Sequence, residues 1–167
     1  MFQDYLWSGL LLDPVGLPEY LALNRAHLGG AYAVATAFLT AHEIPFRDSN
    51  AGHFIWIDLR KYLPTHDRDG HAIAPGMAQE DELAARFTAN RVNVARGAAY
   101  SHPAPGYFRL TFTLRRDFFL EGLGRIEKTL GLEGKAGGEL VAGLERLDLH
   151  EPAKVVETGQ PVEEVAV

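Results

Sequence analysis

The fold of this chain is decided by the stretch Pro105-Gly106-Tyr107-Phe108-Arg109-Leu110-Thr111-Phe112-Thr113. Its aromatic and hydroxyl side chains favour a pleated, half-buried surface, and they alternate with the period of two that predicts a β-strand. Successive side chains of a strand point to opposite faces. The apolar residues at 108, 110 and 112 are therefore expected to pack against a core, and Arg109 is expected on the opposite face.

An arginine in the middle of a strand has two interpretations. Its guanidinium is a rigid fork of donors that can hold a carboxylate through two parallel hydrogen bonds. It can also form an ordinary surface ion pair, and most such pairs contribute little to stability. Residues 105–113 alone favour the ion pair, but two further blocks of sequence favour the binding role for Arg109.

These two blocks precede the strand in a fixed order. They are Ser49-Asn50-Ala51-Gly52-His53-Phe54-Ile55-Trp56-Ile57-Asp58-Leu59-Arg60 and Arg91-Val92-Asn93-Val94-Ala95-Arg96-Gly97-Ala98-Ala99-Tyr100. With residues 105–113 they resemble the carboxy-terminal part of class I/II, fold-type-I aminotransferases, and the branch containing 1-aminocyclopropane-1-carboxylate synthase is the most similar. That family shows an Asn-Ala-Gly-x-Phe-x-Trp strand, a Val-Asn-(Val/Ile) turn and a Glu-Pro-Gly-Trp-Phe-Arg strand. The opening Tyr20-Leu21-x-x-Asn24-Arg25-x-x-Leu28-x-x-x-Tyr32 is similar to the family's long helix, so the resemblance covers roughly residues 1–131.

The resemblance implies a fold and a ligand. The fold would be an α/β two-layer sandwich, a small, mostly antiparallel sheet with helices packed on it, like the aminotransferase small domain. In the family, the arginine that matches Arg109 grips the α-carboxylate of the substrate. Asn50 and Gly52, in the matching Asn-Ala-Gly turn, are expected to bind the substrate with Arg109.

The cofactor machinery of the family is not visible in the sequence. Family enzymes bind pyridoxal phosphate through a lysine in a Ser-x-Ser-Lys motif on a separate large domain. Lys61, Lys128, Lys135 and Lys154 do not lie in such a motif, and an enzyme must itself bind and tune its cofactor. We expect no cofactor for this chain alone, and pyridoxal phosphate only if a partner chain supplies the large domain.

Two departures from the family pattern provide catalytic candidates. His53 stands where the relatives carry an apolar residue, and the segment with Tyr100 and His102 replaces a Phe-His-Cys type of sequence. If these turns still border the substrate site, all three side chains would lie near Arg109, and histidine can move protons near neutral pH. The alternative is drift at positions that no longer face a cofactor.

Two other motifs have simpler interpretations. The segment His66-Asp67-Arg68-Asp69-Gly70-His71 carries side chains that bind metals, but Asp-Gly is an ordinary turn signal. We therefore predict a turn there and no metal site. The segment Gly131-Leu132-Glu133-Gly134-Lys135-Ala136 lacks the first glycine of a phosphate loop and the Ser/Thr after its lysine, which favours a break between helices.

Composition excludes several classes of protein. The chain has 167 residues, a formal net charge of −6 and no cysteine. This length suits one hydrophobic core, the charge argues against nucleic-acid binding, and disulfides and thiolate sites are excluded. Residues 1–14 lack the basic start of a signal peptide, and no segment is long enough to cross a bilayer. We expect a cytoplasmic protein without membrane or nucleic-acid partners.

Local patterns predict the elements and the domain organisation. Helices are expected at 17–41, from 79 to 90, from Asp117 and at about 140–147, and strands at about 53–59, 92–95 and 107–114. The first strand is apolar on both faces and should be covered on both. Residues 1–148 would form one body with an insertion loop at about 62–78, and residues 149–167 a disordered tail.

Three functional classes fit these observations. The chain can be part of a split or truncated pyridoxal-phosphate-dependent transferase or lyase. It can be a repurposed, cofactor-independent cyclase or isomerase of a biosynthetic pathway, or a non-catalytic binding or assembly protein. In each case we expect a small-molecule carboxylate at Arg109, and either a homodimer or a complementary large-domain chain as partner.

Overall fold

A computed structural model describes residues 2–132 and confirms an α/β fold built on a small antiparallel sheet. Its elements are α1 (Phe2–Leu11), α2 (Gly16–Ala41), β1 (Phe54–Asp58), α3 (Met77–Ala89), β2 (Ala95–Arg96), β3 (Tyr107–Thr111) and α4 (Arg116–Leu130). Two short 3-10 helices lie at Arg60–Tyr62 and Gly97–Tyr100. The predicted helix at about 140–147, the tail 149–167 and all but the first two residues of the phosphate-loop-like segment lie outside the described residues.

The sheet has the strand order β1-β3-β2, and both pairings are antiparallel. Residues of β3 alternate between half-buried and buried, as the period-two pattern predicts, and Arg109 is on the half-buried face. The strand expected at 92–95 is observed as β2, which is shorter and begins later in the chain, at Ala95. The reason is that the backbone N–H of Val92 donates to the Phe87 carbonyl and ends α3, so pairing with β3 begins only at Ala95.

The core lies between one face of the sheet and the helices. The apolar side chains of β1 and β3 on this face are almost fully inaccessible, and they meet a buried stripe of α4 whose members lie three or four positions apart. Burying each large side chain stabilises the fold by roughly 1.5–3 kcal/mol. The residues involved are Ile55, Ile57, Phe108, Leu110, Phe112, Phe119, Leu123 and Ile126.

Helix α2 packs on the core over only part of its length. The helix predicted at 17–41 is confirmed, but the fully buried residues lie between Val34 and Leu39, and Leu21 remains 41% exposed. We call α1 and residues 16–23 of α2 the helical arm. Large apolar side chains of the arm that face solvent are Tyr5, Trp7, Leu11, Tyr20, Leu21 and Leu23. None of the helices in residues 2–132 has the length and hydrophobicity needed to span a bilayer.

Strand β1 is covered on one face only. Ile55 and Ile57 are buried in the core, whereas Phe54 on the other face is 41% exposed and Trp56 is half-buried. We expected both faces to be covered. Among the residues that the structure describes, only the face toward the helices is covered. The other face, which carries Arg109, is open, and we call it the open face of the sheet.

Candidate functional site

The guanidinium of Arg109 is held between two aromatic rings on the open face. Its central carbon lies 3.9 Å from the ring centre of Phe54 and 4.2 Å from that of Tyr100. A guanidinium packs well against aromatic faces because it is planar and weakly hydrated. Contact with both rings restricts the orientation of the Arg109 side chain.

The donors of Arg109 are not used in an ion pair with another described residue. Its Nε is shielded from solvent, and within residues 2–132 it meets no hydrogen-bond acceptor. Several other arginines differ from Arg109 because they meet a nearby carboxylate; these include Arg60, Arg86, Arg96, Arg115 and Arg125. The surface ion pair that a strand arginine usually forms is therefore not seen for Arg109 in the part of the chain described.

The buried carboxylate of Glu80 holds the loop that carries Tyr100. Glu80 is fully inaccessible in the first turn of α3. Its Oε1 accepts the backbone N–H of Ala98 at 3.1 Å, and its Oε2 accepts that of Gly106 at 2.7 Å. One side chain thus ties the 3-10 helix that ends at Tyr100 to the turn before β3, which places Tyr100 against Arg109. We call Arg109 with the rings of Phe54 and Tyr100 the Arg109 clamp.

Two glycines allow this close packing. A Cβ on Gly97 would lie 2.8 Å from the Tyr107 carbonyl oxygen, closer than side-chain atoms are found. Gly106 has a φ of 91°, and a Cβ there would also lie 3.0 Å from the Arg60 Cα. Both positions require glycine, because a side chain would push the Tyr100 loop away from the strands.

A small cavity continues the open face beyond Arg109. It has a volume of about 210 Å³ and is lined by Pro45, Phe46, Arg47, Trp56, Asp58, His102 and Tyr107. The His102 ring lies 4.2 Å from that of Tyr107 and 6.0 Å from that of Trp56. Asp58 closes one side, and its hydrogen bond with the Arg60 guanidinium lowers the pKa of Asp58 from 3.8. This carboxylate therefore stays ionised and would repel an anion at that end.

The candidate residues separate into two groups. Tyr100 contacts Arg109, and the Tyr100 ring lies 5.7 Å from that of Trp56, which also contacts His102. His53, just before β1, lines a different cavity against α2 and α4. Asn50 and Gly52 line a cavity of about 400 Å³ beside α2. His53 thus lines a cavity on the helix side, although its ring lies 6.2 Å from that of Phe54, which contacts Arg109.

The described lysines do not fit a pyridoxal-phosphate site beside Arg109. Lys61 is exposed and lines a cavity with His42, Tyr62 and Leu132, and Lys128 is exposed in the last turn of α4. The Arg109 clamp and the adjoining cavity are formed by other residues. In the described part of the chain, an amine that could bind an aldehyde is therefore not placed at the Arg109 face.

The segment predicted as a turn does form one. His66 and Ala72 form an isolated antiparallel bridge, and Asp67 Oδ1 accepts the backbone N–H groups of Asp69 and His71. The bond from His71 is the main reason why the pKa of Asp67 is lowered. Ligand-type atoms of Asp67, Asp69 and His71 lie within 4.8 Å of one another, but these hydrogen bonds already account for the arrangement as a closed turn.

Comparison with known proteins gives a consistent set of relatives, although no family model matches the chain. It is 34% identical over 134 residues to the "Probable aminotransferase gliI" of Aspergillus fumigatus, covering 80% of this chain and 30% of that protein. It is 33% identical over 152 residues to 1-aminocyclopropane-1-carboxylate synthase-like protein 1 of Bos taurus, covering 91% and 26%. A human protein described as a probable inactive 1-aminocyclopropane-1-carboxylate synthase-like protein 2 is 36% identical over 94 residues, which is 56% of this chain and 15% of that protein. The chain thus spans less than a third of these curated relatives.

Proposed function

The chain belongs to the family of aminotransferases and 1-aminocyclopropane-1-carboxylate synthase-like proteins, and we propose that it binds the carboxylate of a small molecule through Arg109. One observation carries this proposal: the guanidinium is fixed between Phe54 and Tyr100, with no carboxylate among the described residues to occupy it. A fixed guanidinium matches the planar geometry of a carboxylate. Comparing ligand affinity in variants of Arg109 tests the proposal directly.

We further propose that the chain acts as part of a split or truncated pyridoxal-phosphate-dependent transferase or lyase. Two facts support this. The chain spans about 30% of the aminotransferase relative, and its described lysines lie away from Arg109. The cofactor would then come with a large domain on another chain, and this chain would supply the group that orients the substrate carboxylate. A cytoplasmic location remains a prediction from sequence.

The first prediction concerns the cofactor. We expect the purified chain alone to form no specific internal aldimine with pyridoxal phosphate, because Lys61 and Lys128 lie apart from the Arg109 face and no phosphate cradle is visible in the sequence. The visible spectrum after cofactor addition, followed by borohydride reduction and peptide mapping, measures this. Slow, scattered labelling of several lysines would be expected of any protein with exposed amines.

A stoichiometric, reducible adduct on one lysine would contradict the prediction. It would mean that the chain binds the cofactor by itself, and the split arrangement would no longer be needed. The matched control is Lys61→Arg, which keeps the charge of the exposed side chain and removes its ability to form an imine. A single adduct that disappears in this variant would identify Lys61 as the anchor.

A cofactor-independent cyclase or isomerase is the second candidate. It is favoured by the position of Tyr100 against Arg109. The Trp56 ring contacts both Tyr100 and His102, and so connects His102 to this group. These groups could hold a proton near a bound carboxylate. The two candidates differ in one requirement: the first needs a large-domain chain before any turnover, whereas the second would show turnover with this chain alone.

The second prediction concerns assembly. We expect the chain to form a homodimer or a stable complex with a large-domain chain, because Trp7, Leu12 and Tyr20 are among the large apolar residues exposed on and around the helical arm, at 61–76% of their surface. Contiguous exposed apolar surface beyond a few hundred Å² usually marks an interface. Multi-angle light scattering of the isolated chain at increasing concentration measures this directly.

The control for this prediction is a pair of glutamate substitutions. Leu12→Glu lies in the exposed apolar set, whereas Thr65→Glu lies in the exposed loop before α3. Only the first should weaken association. A clean monomer that stays soluble at high concentration without a partner would contradict the prediction, as would equal effects of the two substitutions.

A further inference from the structure

We propose that the cavity between α2 and the start of α4 is a second binding site, for a small amphiphilic organic acid. The cavity has a volume of about 520 Å³, which is within the range of about 300–1,000 Å³ typical of small-molecule sites. It lies on the helix side of the sheet, because its walls include Val34 of α2 and the buried Phe112. Arg109 lies on the opposite face, so the two sites are separate.

The floor of this cavity is apolar. It is formed by residues on the inner side of α2, by the end of β3 and by the first turn of α4: Leu28, Ala31, Val34, Phe112 and Phe119. Water makes few hydrogen bonds with such a surface, whereas an aliphatic or aromatic group placed there would bury apolar area away from solvent. The floor therefore favours a ligand that has a hydrocarbon part.

The rim of the cavity is polar and carries no carboxylate. Asn24 and His27 are one helical turn apart on α2, His53 precedes β1 and Thr113 follows β3. Arg115 and Arg116 complete the rim, and the Nη1 of Arg116 is shielded from solvent. Asn24, His53 and Thr113 can donate hydrogen bonds to an anion, whereas the Arg115 guanidinium is already paired with Asp117. Aspartate and glutamate are absent from the lining itself.

The start of α4 already carries its own carboxylate, that of Asp117. The helix begins at Arg116, its N-cap residue Arg115 provides no side-chain cap, and Arg115 instead binds Asp117 through two bonds of 2.6 and 2.5 Å. The first backbone N–H groups of a helix favour negative charge, and here the Asp117 carboxylate supplies it: hydrogen bonds from Arg115 and from the backbone of Phe118 lower the pKa of Asp117. The preference for an acid group at the mouth and a hydrocarbon group on the floor therefore rests on the polar rim and the apolar floor of the cavity.

The experiment uses the full chain and three probes that share a phenyl group. They are 4-phenylbutyrate, phenyl phosphate and the uncharged 4-phenylbutanol, with binding measured by titration calorimetry. We expect one or both acids to bind and the alcohol to bind at least about tenfold more weakly, since a charge-assisted hydrogen bond is worth about 1.5–3 kcal/mol. Comparison of the two acids distinguishes a carboxylate site from a phosphate site.

Two variants locate the binding. His53→Ala removes an exposed donor from the rim. It should weaken binding of the acids about tenfold, because one charge-assisted hydrogen bond is lost. Ala31→Leu reduces the volume above the floor and should weaken both the acids and any residual binding of the alcohol. Thermal unfolding of both variants confirms that the fold is retained, and Arg109→Ala separates this site from the proposed carboxylate site on the open face.

The results either support or overturn the proposal. Loss of acid binding in His53→Ala and Ala31→Leu, with binding retained in Arg109→Ala, supports it whether or not the proposed function holds. No binding of either acid overturns it. Equal binding of acid and alcohol, or loss that occurs only in Arg109→Ala, also overturns it, and the last result would assign the probes to the open face.

Discussion

Replacing Glu80 with alanine is expected to lower the free energy of unfolding by about 3 kcal/mol or more, the largest stability effect that we predict for a single polar side chain here. The carboxylate is buried and accepts the backbone N–H groups of Ala98 and Gly106. Each buried donor left without a partner costs about 1–3 kcal/mol. A domain with a total stability of about 5–15 kcal/mol would lose a large part of it.

Glu80→Gln distinguishes the contribution of the two hydrogen bonds from that of side-chain packing. The glutamine side chain nearly fills the same space, but it has one acceptor oxygen, and its NH₂ group would face one of the two backbone donors. We expect the free energy of unfolding of Glu80→Gln to lie between that of wild type and that of Glu80→Ala. Asp81→Asn on the same helix is the control, because Asp81 is exposed and pairs with Arg96 at the surface.

Denaturant unfolding of the four proteins measures these differences. The expected order of stability is wild type and Asp81→Asn together, then Glu80→Gln, then Glu80→Ala. If Glu80→Ala unfolds at the same denaturant concentration as wild type, the two backbone donors must find other partners. Glu80 would then not be the residue that fixes the loop carrying Tyr100.

The strand at the centre of the sheet could be predicted because its signal is local. Alternation in residues 107–112 is set by backbone geometry, so the buried positions Phe108, Leu110 and Phe112 and the open-face position Arg109 follow from sequence alone. The same rule does not extend to His53, which precedes β1: it lines the cavity on the helix side, yet its ring lies 6.2 Å from that of Phe54. The family resemblance had grouped His53 with Arg109 instead.

The role of Glu80 could not be predicted from local pattern. The sequence suggests a helix first turn, where an acid is favourable for the dipole. The two N–H groups it accepts belong to residues 18 and 26 positions later, and only the tertiary fold brings them to α3. One signal was available: Glu80, Leu83 and Phe87 share a helical face, and both apolar members are buried. An acid in an apolar stripe indicates a buried, hydrogen-bonded group.

The aromatic clamp also depends on long-range contacts. Phe54 and Tyr100 lie 55 and 9 positions before Arg109, in separate blocks, and strand order and the Glu80 contacts bring them to its two sides. The helical arm shows the opposite failure. Apolar spacing correctly predicted α2 but not α1, where no helix was expected, and spacing identifies a face and not the partner that covers it, so Leu21 is exposed.

Replacing Arg109 is expected to produce the largest loss of binding. Arg109→Ala removes the whole guanidinium. It should weaken the binding of a carboxylate ligand up to about a hundredfold, because charge-assisted hydrogen bonds contribute about 1.5–3 kcal/mol. Arg109→Lys keeps the charge but loses the two-pronged geometry and the flat contact with Phe54 and Tyr100. We expect it to weaken binding about tenfold or more by the same energies.

The measurement is a titration with small α-amino and α-keto acids, each compared with the corresponding alcohol. Arg96→Lys is the control, because Arg96 lies on the neighbouring strand β2 and pairs with Asp81 instead of aromatic rings. That variant should bind the acids as wild type does. Thermal unfolding of all variants accompanies the titrations, and we expect Arg109→Ala to stay folded, since its guanidinium makes ring contacts and no ion pair within residues 2–132.

The combination of the two measurements decides the role of Arg109. Early unfolding of both Arg109 variants would make it a structural residue, whose ring contacts hold β1 and the Tyr100 loop together. Full stability with full acid binding would place the carboxylate site elsewhere. Weak binding in a folded Arg109→Ala protein, with Arg96→Lys unaffected, is the result expected if the clamp exists to present a guanidinium to a ligand. The stacking rings then explain why lysine is a poor substitute: an ammonium group has neither the plane that Phe54 and Tyr100 hold nor the paired donors that a carboxylate accepts.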